Sequence, residues 1–187
     1  MPSGKLIVIS APSGSGKTTI AKEIMKRNPA LGFSVSVTTR AKRETEVEGK
    51  DYFFLTADQF KRKIAAGEFV EWEEFYGNRY GTLKAEVDRL LKSGHHLLFD
   101  LDVKGGLSIK KQYPEALLIF IRPPNIEILA QRLIGRKTED EATLRTRLDR
   151  VPMELELGNT FDHQVINDDL ATAIEEVQKL IDKHFTK

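Results

Sequence analysis

A short run of small residues, followed by a lysine and a hydroxyl residue, lies near the start of the chain: Ala11, Pro12, Ser13, Gly14, Ser15, Gly16, Lys17 and Thr18. An apolar run of strand length, Leu6–Ile9, precedes it, and a segment with helical apolar spacing, Thr18–Arg27, follows it. Small residues let successive backbone N–H groups face an anion, and a helix N-terminus adds partial positive charge. An ammonium and a hydroxyl group can then bind phosphate oxygens and Mg²⁺. The segment therefore predicts a P-loop that binds a nucleoside triphosphate.

The strict form of this motif begins with glycine, whereas this chain has Ala11. If the first residue had to adopt a positive φ, alanine would cost about 1 kcal/mol or more. A backbone conformation that alanine accepts removes this cost. The alternative interpretation is a glycine-rich turn followed by lysine and threonine by chance, and the flanking strand and helix favour the P-loop.

Asp100 comes directly after a second apolar run, His96–Phe99. An acidic residue at the end of a buried strand resembles the Walker B carboxylate, which holds Mg²⁺ directly or through water. The alternative is a helix cap or a solvated loop charge. In a chain that also has a P-loop, the pattern favours a magnesium ligand.

Apolar runs of strand length alternate with helix-period segments along most of the chain. The later strands are expected at Leu117–Ile121 and Val165–Ile166, and helices at Asn125–Arg136 and after a cap at Asp168. Continuous apolar strands separated by helices are typical of a parallel sheet covered on both faces. The predicted fold class is therefore α/β, with a P-loop NTPase core.

Two segments interrupt this alternation. Between Phe33 and Tyr80 the chain has short aromatic runs, with one helix that a capping box of Thr56 and Gln59 would begin and Gly67 would end. This segment predicts a small antiparallel, β-rich insert. A charged segment, in which Thr138 with Glu141 can cap a helix, predicts a helical lid. The expected division of the single domain is a core at about 1–32, 83–134 and 151–187, an insert at about 33–82, and a lid at about 135–150.

Composition excludes several classes of protein. The 187 residues suit one globular domain, and 29 Lys and Arg against 28 Asp and Glu give a net charge of only +1. The basic excess typical of a duplex-DNA binder is missing, so no nucleic-acid partner is expected. The chain has no cysteine, which excludes disulfides and thiolate metal sites and favours a cytoplasmic location. No apolar run approaches the ~20 residues of a membrane span, so no membrane partner is expected.

Several further motifs, in this order along nearly the whole chain, resemble those of bacterial guanylate kinases. They are S-A-P-S-G-S-G-K-T, F-S-V-S-V-T-T-R-A-K-R, G-K-D-Y-F-F, F-V-E-W, G-N-R-Y-G-T, F-D-L-D-V-K-G and I-N-D-D. That family tolerates alanine at the start of the loop. The resemblance implies transfer of the γ-phosphoryl group of ATP to GMP, and also to dGMP, with Mg²⁺, in purine nucleotide metabolism and GMP recycling.

The resemblance also implies roles for individual residues. The GMP phosphate would be bound by Arg40, Arg43, Tyr52 and Tyr80. The guanine would be bound by Ser36, Glu71, Thr82 (often Ser in the family) and Asp102. The transferring phosphoryl group would be surrounded by the catalytic residues Lys17, Arg132, Arg136 and Arg147. ATP would be bound by residues 11–18 with Asn167 near the adenine, and Mg²⁺ by Thr18 and Asp100.

Two other classes of protein share part of this pattern. A P-loop kinase with a different small acceptor would keep Lys17 and Thr18 but lack the guanine-binding set around Glu71. A non-catalytic guanylate-kinase-like binding module would typically have a degraded P-loop and neighbouring interaction domains. Here the P-loop is intact and the chain has the length of a single domain. The arginines also have an alternative interpretation without function. Under it, Arg40 and Arg43 lie on a solvated basic loop, and Arg132 and Arg136 lie on the solvent-facing side of a helix.

Overall fold

The computed structural model describes residues 4–75, 77–135 and 141–186. The strands are β1 (Leu6–Ser10), β2 (Leu31–Phe33), β3 (Val37–Thr38), β4 (Phe53–Phe54), β5 (Phe69–Phe75), β6 (Asn78–Leu83), β7 (His96–Asp100), β8 (Leu117–Arg122) and β9 (His163–Ile166). The helices are α1 (Lys17–Arg27), α2 (Ala57–Ala65), α3 (Lys84–Lys92), α4 (Val103–Gln112), α5 (Ile126–Ile134), α6 (Glu141–Gly158) and α7 (Leu170–Phe185).

The larger sheet is parallel throughout and has the strand order β2-β7-β1-β8-β9. Its central strand β1 is completely buried, since every residue from Leu6 to Ser10 lies in the interior. The register pairs Ile9 with Asp100 of β7 and Ser10 with Phe120 of β8. The carboxyl ends of these strands therefore meet at one edge of the sheet, where parallel α/β sheets bind their ligands.

Helices cover both faces of this sheet, which confirms the predicted α/β class. On one face, Ile20 and Ile24 of α1 and Val177 of α7 pack against β1 and β8 in one buried cluster. On the other face, Val87 of α3 and Ile109 of α4 belong to a second cluster with β7 and β8. Of these covering helices, α3 and α4 were not predicted from the sequence.

The smaller sheet has the order β4-β3-β6-β5 and differs from the prediction in one respect. Strand β6 is antiparallel to β3 and β5, as expected, but β3 and β4 are parallel, so the sheet is mixed. A parallel pair needs a long connection, and the segment 39–52 between β3 and β4 supplies it. The predicted run Phe33–Val37 also divides, since Phe33 ends β2 of the large sheet and Val37 begins β3 of the small one.

The predicted capping box of α2 is confirmed. Thr56 Oγ1 accepts a hydrogen bond from Gln59 N at 3.2 Å, and Gln59 Oε1 accepts one from Thr56 N at 2.8 Å. Gly67 adopts a φ of 64°, the left-handed conformation expected after a helix end. Phe60 of α2 is fully buried and stacks on Phe69 at a ring distance of 4.5 Å, which attaches the helix to the small sheet.

Helix boundaries depart from the sequence prediction near the carboxyl half of the chain. Asp169, rather than Asp168, caps α7, because its Oδ1 accepts Thr172 N at 2.8 Å. Helix α6 continues past Arg150 to Gly158 with Pro152 inside it. The proposed lid cap Thr138 lies outside the described residues. None of the helices in the described part of the chain combines the length and apolar character that a membrane span requires.

Candidate active site

A cavity of about 300 Å³ lies at the carboxyl edge of the parallel sheet. It brings together predicted residues from distant segments of the chain, from the P-loop near its start to α6 near its end. They are Ala11, Pro12, Ser13, Gly14, Lys17, Thr18, Ser36, Tyr52, Glu71, Tyr80, Asp100, Asp102 and Arg147. The other predicted residues that the structure describes do not line the cavity: Ser15, Gly16, Arg40, Arg43, Thr82, Arg132 and Asn167. Arg136 lies outside the described residues.

The P-loop connects β1 to α1 by a compact turn. Ser15 N donates to Pro12 O at 3.1 Å, and Gly14 and Gly16 have φ values of 90° and 89°. These left-handed conformations are accessible to glycine at no steric cost. The loop therefore leads directly into the N-terminus of α1, where backbone N–H groups favour an anion.

Lys17 is held at the base of the cavity by Asp100. Its Nζ lies 2.6 Å from Asp100 Oδ1 and also donates to Leu101 O at 2.9 Å. Burial is the largest single influence on the pKa of Lys17 and lowers it, but the charge and hydrogen bond of Asp100, together with the charge of Asp102, raise the pKa above its ordinary value. The ammonium group is therefore charged and already placed where a phosphate would bind.

Thr18 lies on the other side of the same carboxylate, and its Oγ1 donates to Asp100 Oδ2 at 3.1 Å. Hydroxyl and carboxylate oxygens are ligands that Mg²⁺ prefers, usually completed by water and substrate phosphates. Within the described ranges, no cluster of three or more His, Asp or Glu side chains has the geometry of a metal site. Thr18 and Asp100 thus fit a magnesium ion that also depends on substrate oxygens.

Glu71 presents a buried carboxylate to the cavity. Only 7% of the residue is exposed, and its Oε1 accepts a hydrogen bond of 2.6 Å from the hydroxyl of the fully buried Thr82. Burial raises the pKa of Glu71 to about 7, and the charge of nearby Asp102 acts in the same direction, although the Thr82 hydrogen bond opposes it. Such a group is costly to ionise without a ligand, which is typical of functional carboxylates.

Asp102 approaches Glu71 from the large sheet. It caps α4, with Oδ1 accepting Gly105 N at 2.9 Å and Oδ2 accepting Lys104 N at 3.3 Å. A Cβ on Gly105 would lie 2.9 Å from both Asp102 Oδ1 and Glu71 Oε2. The absence of a side chain at this position therefore lets α4 and β5 approach closely enough to bring both carboxylates to one site.

Glu46 holds the loop that carries Arg40 and Arg43. Its carboxylate accepts a forked pair of hydrogen bonds from Arg40, at 2.6 and 3.1 Å, and one from Arg43 N at 2.8 Å. The Arg40 guanidinium also lies 5.5 Å from the centre of the Tyr52 ring. The hydrogen bonds to Glu46 are the largest influence on the pKa of Arg40, which they raise. The Arg43 side chain is exposed and does not line the cavity.

Arg147 and Arg132, the other predicted catalytic arginines that the structure describes, contact the P-loop and the segment after β9. Arg147 Nη1 donates to Ser13 Oγ at 2.7 Å, which brings α6 against the loop. Arg132 Nη1 donates to the backbone oxygen of Asn167 at 3.1 Å. The Asn167 side chain is directed at the loop itself, with Nδ2 donating to Ser15 O at 2.7 Å.

Three charged residues of the cavity were not predicted from the sequence: Glu73, Arg150 and Glu154. Arg150 and Glu154 follow Arg147 at helical spacing on α6, and Arg150 Nε lies 3.6 Å from Glu154 Oε1. Burial raises the pKa of Glu154, which is only 8% exposed. Arg150 follows Arg147 by three residues and Glu154 follows Arg150 by four, a spacing that places all three on one helix face.

The buried Glu71 carboxylate predicts a pH-dependent stability difference. Because its folded pKa of about 7 lies above the ordinary value of 4.5, ionisation costs the folded state stability as pH rises from about 4.5 to 7, and the full cost applies above 7. Glu71→Gln removes this cost and keeps an acceptor for Thr82. We expect the variant to exceed wild type in the free energy of unfolding by roughly 1–3 kcal/mol at pH 8 and by much less near pH 5.

Urea unfolding at the two pH values measures this difference. Exposed Glu44, replaced by Gln, is the control and should leave the free energy of unfolding nearly unchanged at both. An advantage of Glu71→Gln that is equal at pH 5 and pH 8 would show that ionisation of this carboxylate does not cause it.

Comparison with known proteins assigns the family. The family model described as guanylate kinase matches residues 3–184. The guanylate kinase of Chlorobium chlorochromatii is 49% identical over 181 residues, covering 96% of this chain and 95% of that protein. The guanylate kinase of Porphyromonas gingivalis is 46% identical over 186 residues, covering 98% and 99%. The crystal structure of guanylate kinase from Anaplasma phagocytophilum superposes with a TM-score of 0.81 at 28% identity, covering 100% of this chain and 89% of that one. On this match over nearly its full length, together with a P-loop that shares one cavity with a buried glutamate, the chain belongs to the guanylate kinase family.

Proposed function

We propose that this chain transfers the γ-phosphoryl group of ATP to GMP, giving ADP and GDP. The observation that carries the proposal is that one cavity contains both the P-loop, with Lys17, and the buried carboxylate of Glu71. The first binds the donor triphosphate, and the second selects the acceptor base. We extend the proposal to dGMP, because the contacts proposed below are made to the base and the phosphate rather than to the ribose.

Guanine suits the Glu71 carboxylate because it presents two adjacent donors, N1–H and the exocyclic N2 amine. The two carboxylate oxygens can accept both hydrogen bonds, and Thr82 holds the carboxylate in place at 2.6 Å. Adenine has an acceptor at N1 and no amine at C2, so it would leave a desolvated charge unpaired. A site built for hydrogen bonds rejects an analogue that lacks them by about 10⁴-fold. Ser36 and Asp102 complete the proposed base site.

The phosphate of GMP is proposed to bind Arg40, Arg43, Tyr52 and Tyr80. Glu46 uses only part of the Arg40 donor set, since a guanidinium group has five N–H donors. The forked hydrogen bonds also fix the orientation of the guanidinium plane before the phosphate arrives. Arg43 has its backbone held by the same carboxylate, which leaves its exposed side chain within the same loop.

Phosphoryl transfer in this arrangement needs no general base. The second pKa of a phosphate monoester is about 6, so the attacking oxygen of GMP is largely ionised near pH 7. That oxygen forms a bond to the γ-phosphorus while the bond from the γ-phosphorus to the bridging oxygen of ADP breaks. We assign stabilisation of the negative charge to Lys17, Arg132, Arg136 and Arg147. Before substrate binds, Arg147 donates to Ser13 at 2.7 Å, so its guanidinium already lies beside the loop.

Thr18 and Asp100 are the residues we propose to hold Mg²⁺, with Asp100 bound directly or through water. The bound ion supplies neutralisation of the phosphate charge. The Asp100 carboxylate positions two groups of the site, since one of its oxygens accepts the Thr18 hydroxyl and the other pairs with the Lys17 ammonium group.

The chain is proposed to act as one domain in three parts. These are the core at about 1–32, 83–134 and 151–187, the GMP-binding insert at about 33–82, and the lid at about 135–150. The cavity supports this division because Tyr80 of the insert, Lys17 of the core and Arg147 of the lid all line it. Movement of the insert and lid over the substrates would exclude water and so protect ATP from hydrolysis.

The acceptor is tested by a coupled ADP-release assay with GMP, dGMP, AMP, CMP and UMP, on wild type and on Glu71→Ala. We expect wild type to prefer the guanine nucleotides. Because truncation leaves the guanine donors unpaired, Glu71→Ala should lose roughly 2–4 kcal/mol in kcat/KM for GMP, with the KM for ATP nearly unchanged. Glu74→Ala, an exposed change on the same strand, is the matched control. An unaltered preference for GMP over AMP in Glu71→Ala would contradict the base assignment, and preference for another nucleotide in wild type would favour a different P-loop kinase.

Lys17→Met tests the donor side of the site. Loss of the ammonium removes one electrostatic stabiliser of the transferring group, so kcat should fall by at least about 10²-fold. Lys22→Met, an exposed change on the same helix, should retain wild-type turnover. Turnover of Lys17→Met within tenfold of wild type, with a normal melting temperature, would contradict the role assigned to Lys17.

The three-part division is tested by distance measurement. The chain has no cysteine, so Lys61→Cys on α2 and Glu176→Cys on α7 allow two fluorophores to be attached at exposed positions. Saturation with GMP and a non-hydrolysable ATP analogue should shorten the distance between them, because the insert moves towards the core. The same labels without nucleotide are the control, and a distance that stays constant on saturation would argue against hinge closure.

A further inference from the structure

Asn167 occupies a buried position directly behind the P-loop. Only 4% of the residue is exposed, and it follows the last residue of β9. Its backbone N–H donates to Arg122 O, at the end of β8, at 2.8 Å. The position of Asn167 is therefore set by the parallel sheet.

The side chain of Asn167 makes one hydrogen bond, to the backbone of the loop. Nδ2 donates to Ser15 O at 2.7 Å. If the amide were flipped, its oxygen would face the Ser15 carbonyl oxygen, which is also an acceptor, so this contact determines the orientation of the amide. Within the described residues, Asn167 Oδ1 has no hydrogen-bond partner. The bond to Ser15 O is thus the interaction that accounts for an amide at this buried position.

The loop is fitted closely to this amide. Gly16 has a φ of 89°, and a Cβ at Gly16 would overlap Asn167 Nδ2. Glycine at this position is therefore required twice, once by the backbone conformation and once by the contact with Asn167. The Ser15–Gly16 peptide is held between the sheet-anchored amide and the start of α1.

Peptide geometry determines what this hydrogen bond does. In a trans peptide the carbonyl oxygen and the following N–H point in opposite directions. Holding Ser15 O on Asn167 therefore directs the N–H of Gly16 away from Asn167. Gly14, Lys17 and Thr18, which flank this peptide, line the cavity, and Asn167 does not.

The same residue also holds an arginine proposed for catalysis. Arg132 Nη1 donates to the backbone oxygen of Asn167 at 3.1 Å. Asn167 is thereby bonded through its side chain to the loop and through its backbone to both β8 and α5. Asn167 therefore helps to position both the backbone of the P-loop and the guanidinium group of Arg132.

We infer that Asn167 is a positioning residue for the phosphates of the donor nucleotide, acting by fixing the orientation of the Ser15–Gly16 peptide. This inference rests on the proposed function, because it concerns the same triphosphate site. It differs from a contact with the adenine, since an oriented loop binds any triphosphate whatever base it carries.

The test compares two anions on one variant. Asn167→Leu keeps the branched shape of the side chain, adds no charge and removes the donor. Binding of ATP and of inorganic tripolyphosphate is measured by calorimetry at fixed Mg²⁺, together with binding of GMP. We expect both triphosphates to bind about 10-fold or more weakly, by the same factor, because one N–H bond to a charged oxygen is misdirected. GMP affinity should stay within twofold of wild type.

Asn28→Leu is the matched control, because Asn28 Nδ2 likewise donates to a backbone oxygen, that of Ile24, at the far end of α1. It should leave both triphosphate affinities within twofold. If Asn167→Leu does not fold, Asn167→Ala, which adds no bulk, is measured in the same way with the same expectation.

Each other outcome overturns the inference. Weaker binding of ATP with unchanged binding of tripolyphosphate would show that Asn167 contacts the nucleoside. Unchanged binding of both would show that the loop keeps its orientation without the amide. Weaker binding of GMP by the same factor, with a lower melting temperature, would show a general structural role. These results are independent of the acceptor assay, so a wild-type protein inactive on GMP would overturn the proposed function while the tripolyphosphate comparison still tested Asn167.

Discussion

Parallel pairing of β1 with both β7 and β8 is the constraint on which the site depends. The register that sets Ile9 beside Asp100 brings the beginning of the P-loop and the acidic end of β7 to the same edge of the sheet. Lys17 and Thr18 can then share the two oxygens of one carboxylate. A shift of one residue in this pairing would turn Asp100 to the opposite face of the sheet and separate it from both. The buried apolar residues of β1 make such a shift costly, so the hydrophobic core fixes the geometry of the charged site.

Local patterns predicted the parts of the molecule that local physics determines. Continuous apolar runs identified β1, β7 and β8, and the capping box of Thr56 identified the start of α2. The run Phe33–Val37 gave no sign that it would divide between two sheets, because that depends on which distant strand each half meets. Likewise, Glu46 and Glu154 are ordinary charges in the sequence and acquire importance only through Arg40 and Arg150. The residues proposed for ATP and GMP came from the resemblance, and the structure adds their supporting partners.

The cavity must accept two polyanions, yet much of its positive charge is already paired. Lys17 is bonded to Asp100, and Arg150 lies beside Glu154. Beside the cavity, Arg40 is bonded to Glu46 in the same way. These carboxylates limit repulsion between neighbouring cations and fix flexible side chains, so less conformational entropy remains to be lost when phosphate binds. Arginine retains donors beyond those its carboxylate occupies, which makes this arrangement compatible with binding.

The two carboxylates proposed at the guanine belong to different sheets. Glu71 lies on β5 of the small sheet, whereas Asp102 follows β7 of the large one, and they meet only because Gly105 has no side chain between them. A base that bonds to both would bridge the two sheets at the site, whereas a base that bonds to neither would leave the buried Glu71 with Thr82 as its hydrogen-bond partner. Recognition of the acceptor would then act as a check before catalysis, expressed in turnover as well as in affinity. Under that arrangement an incorrect nucleotide is excluded from phosphorylation even when it is abundant enough to occupy the cavity.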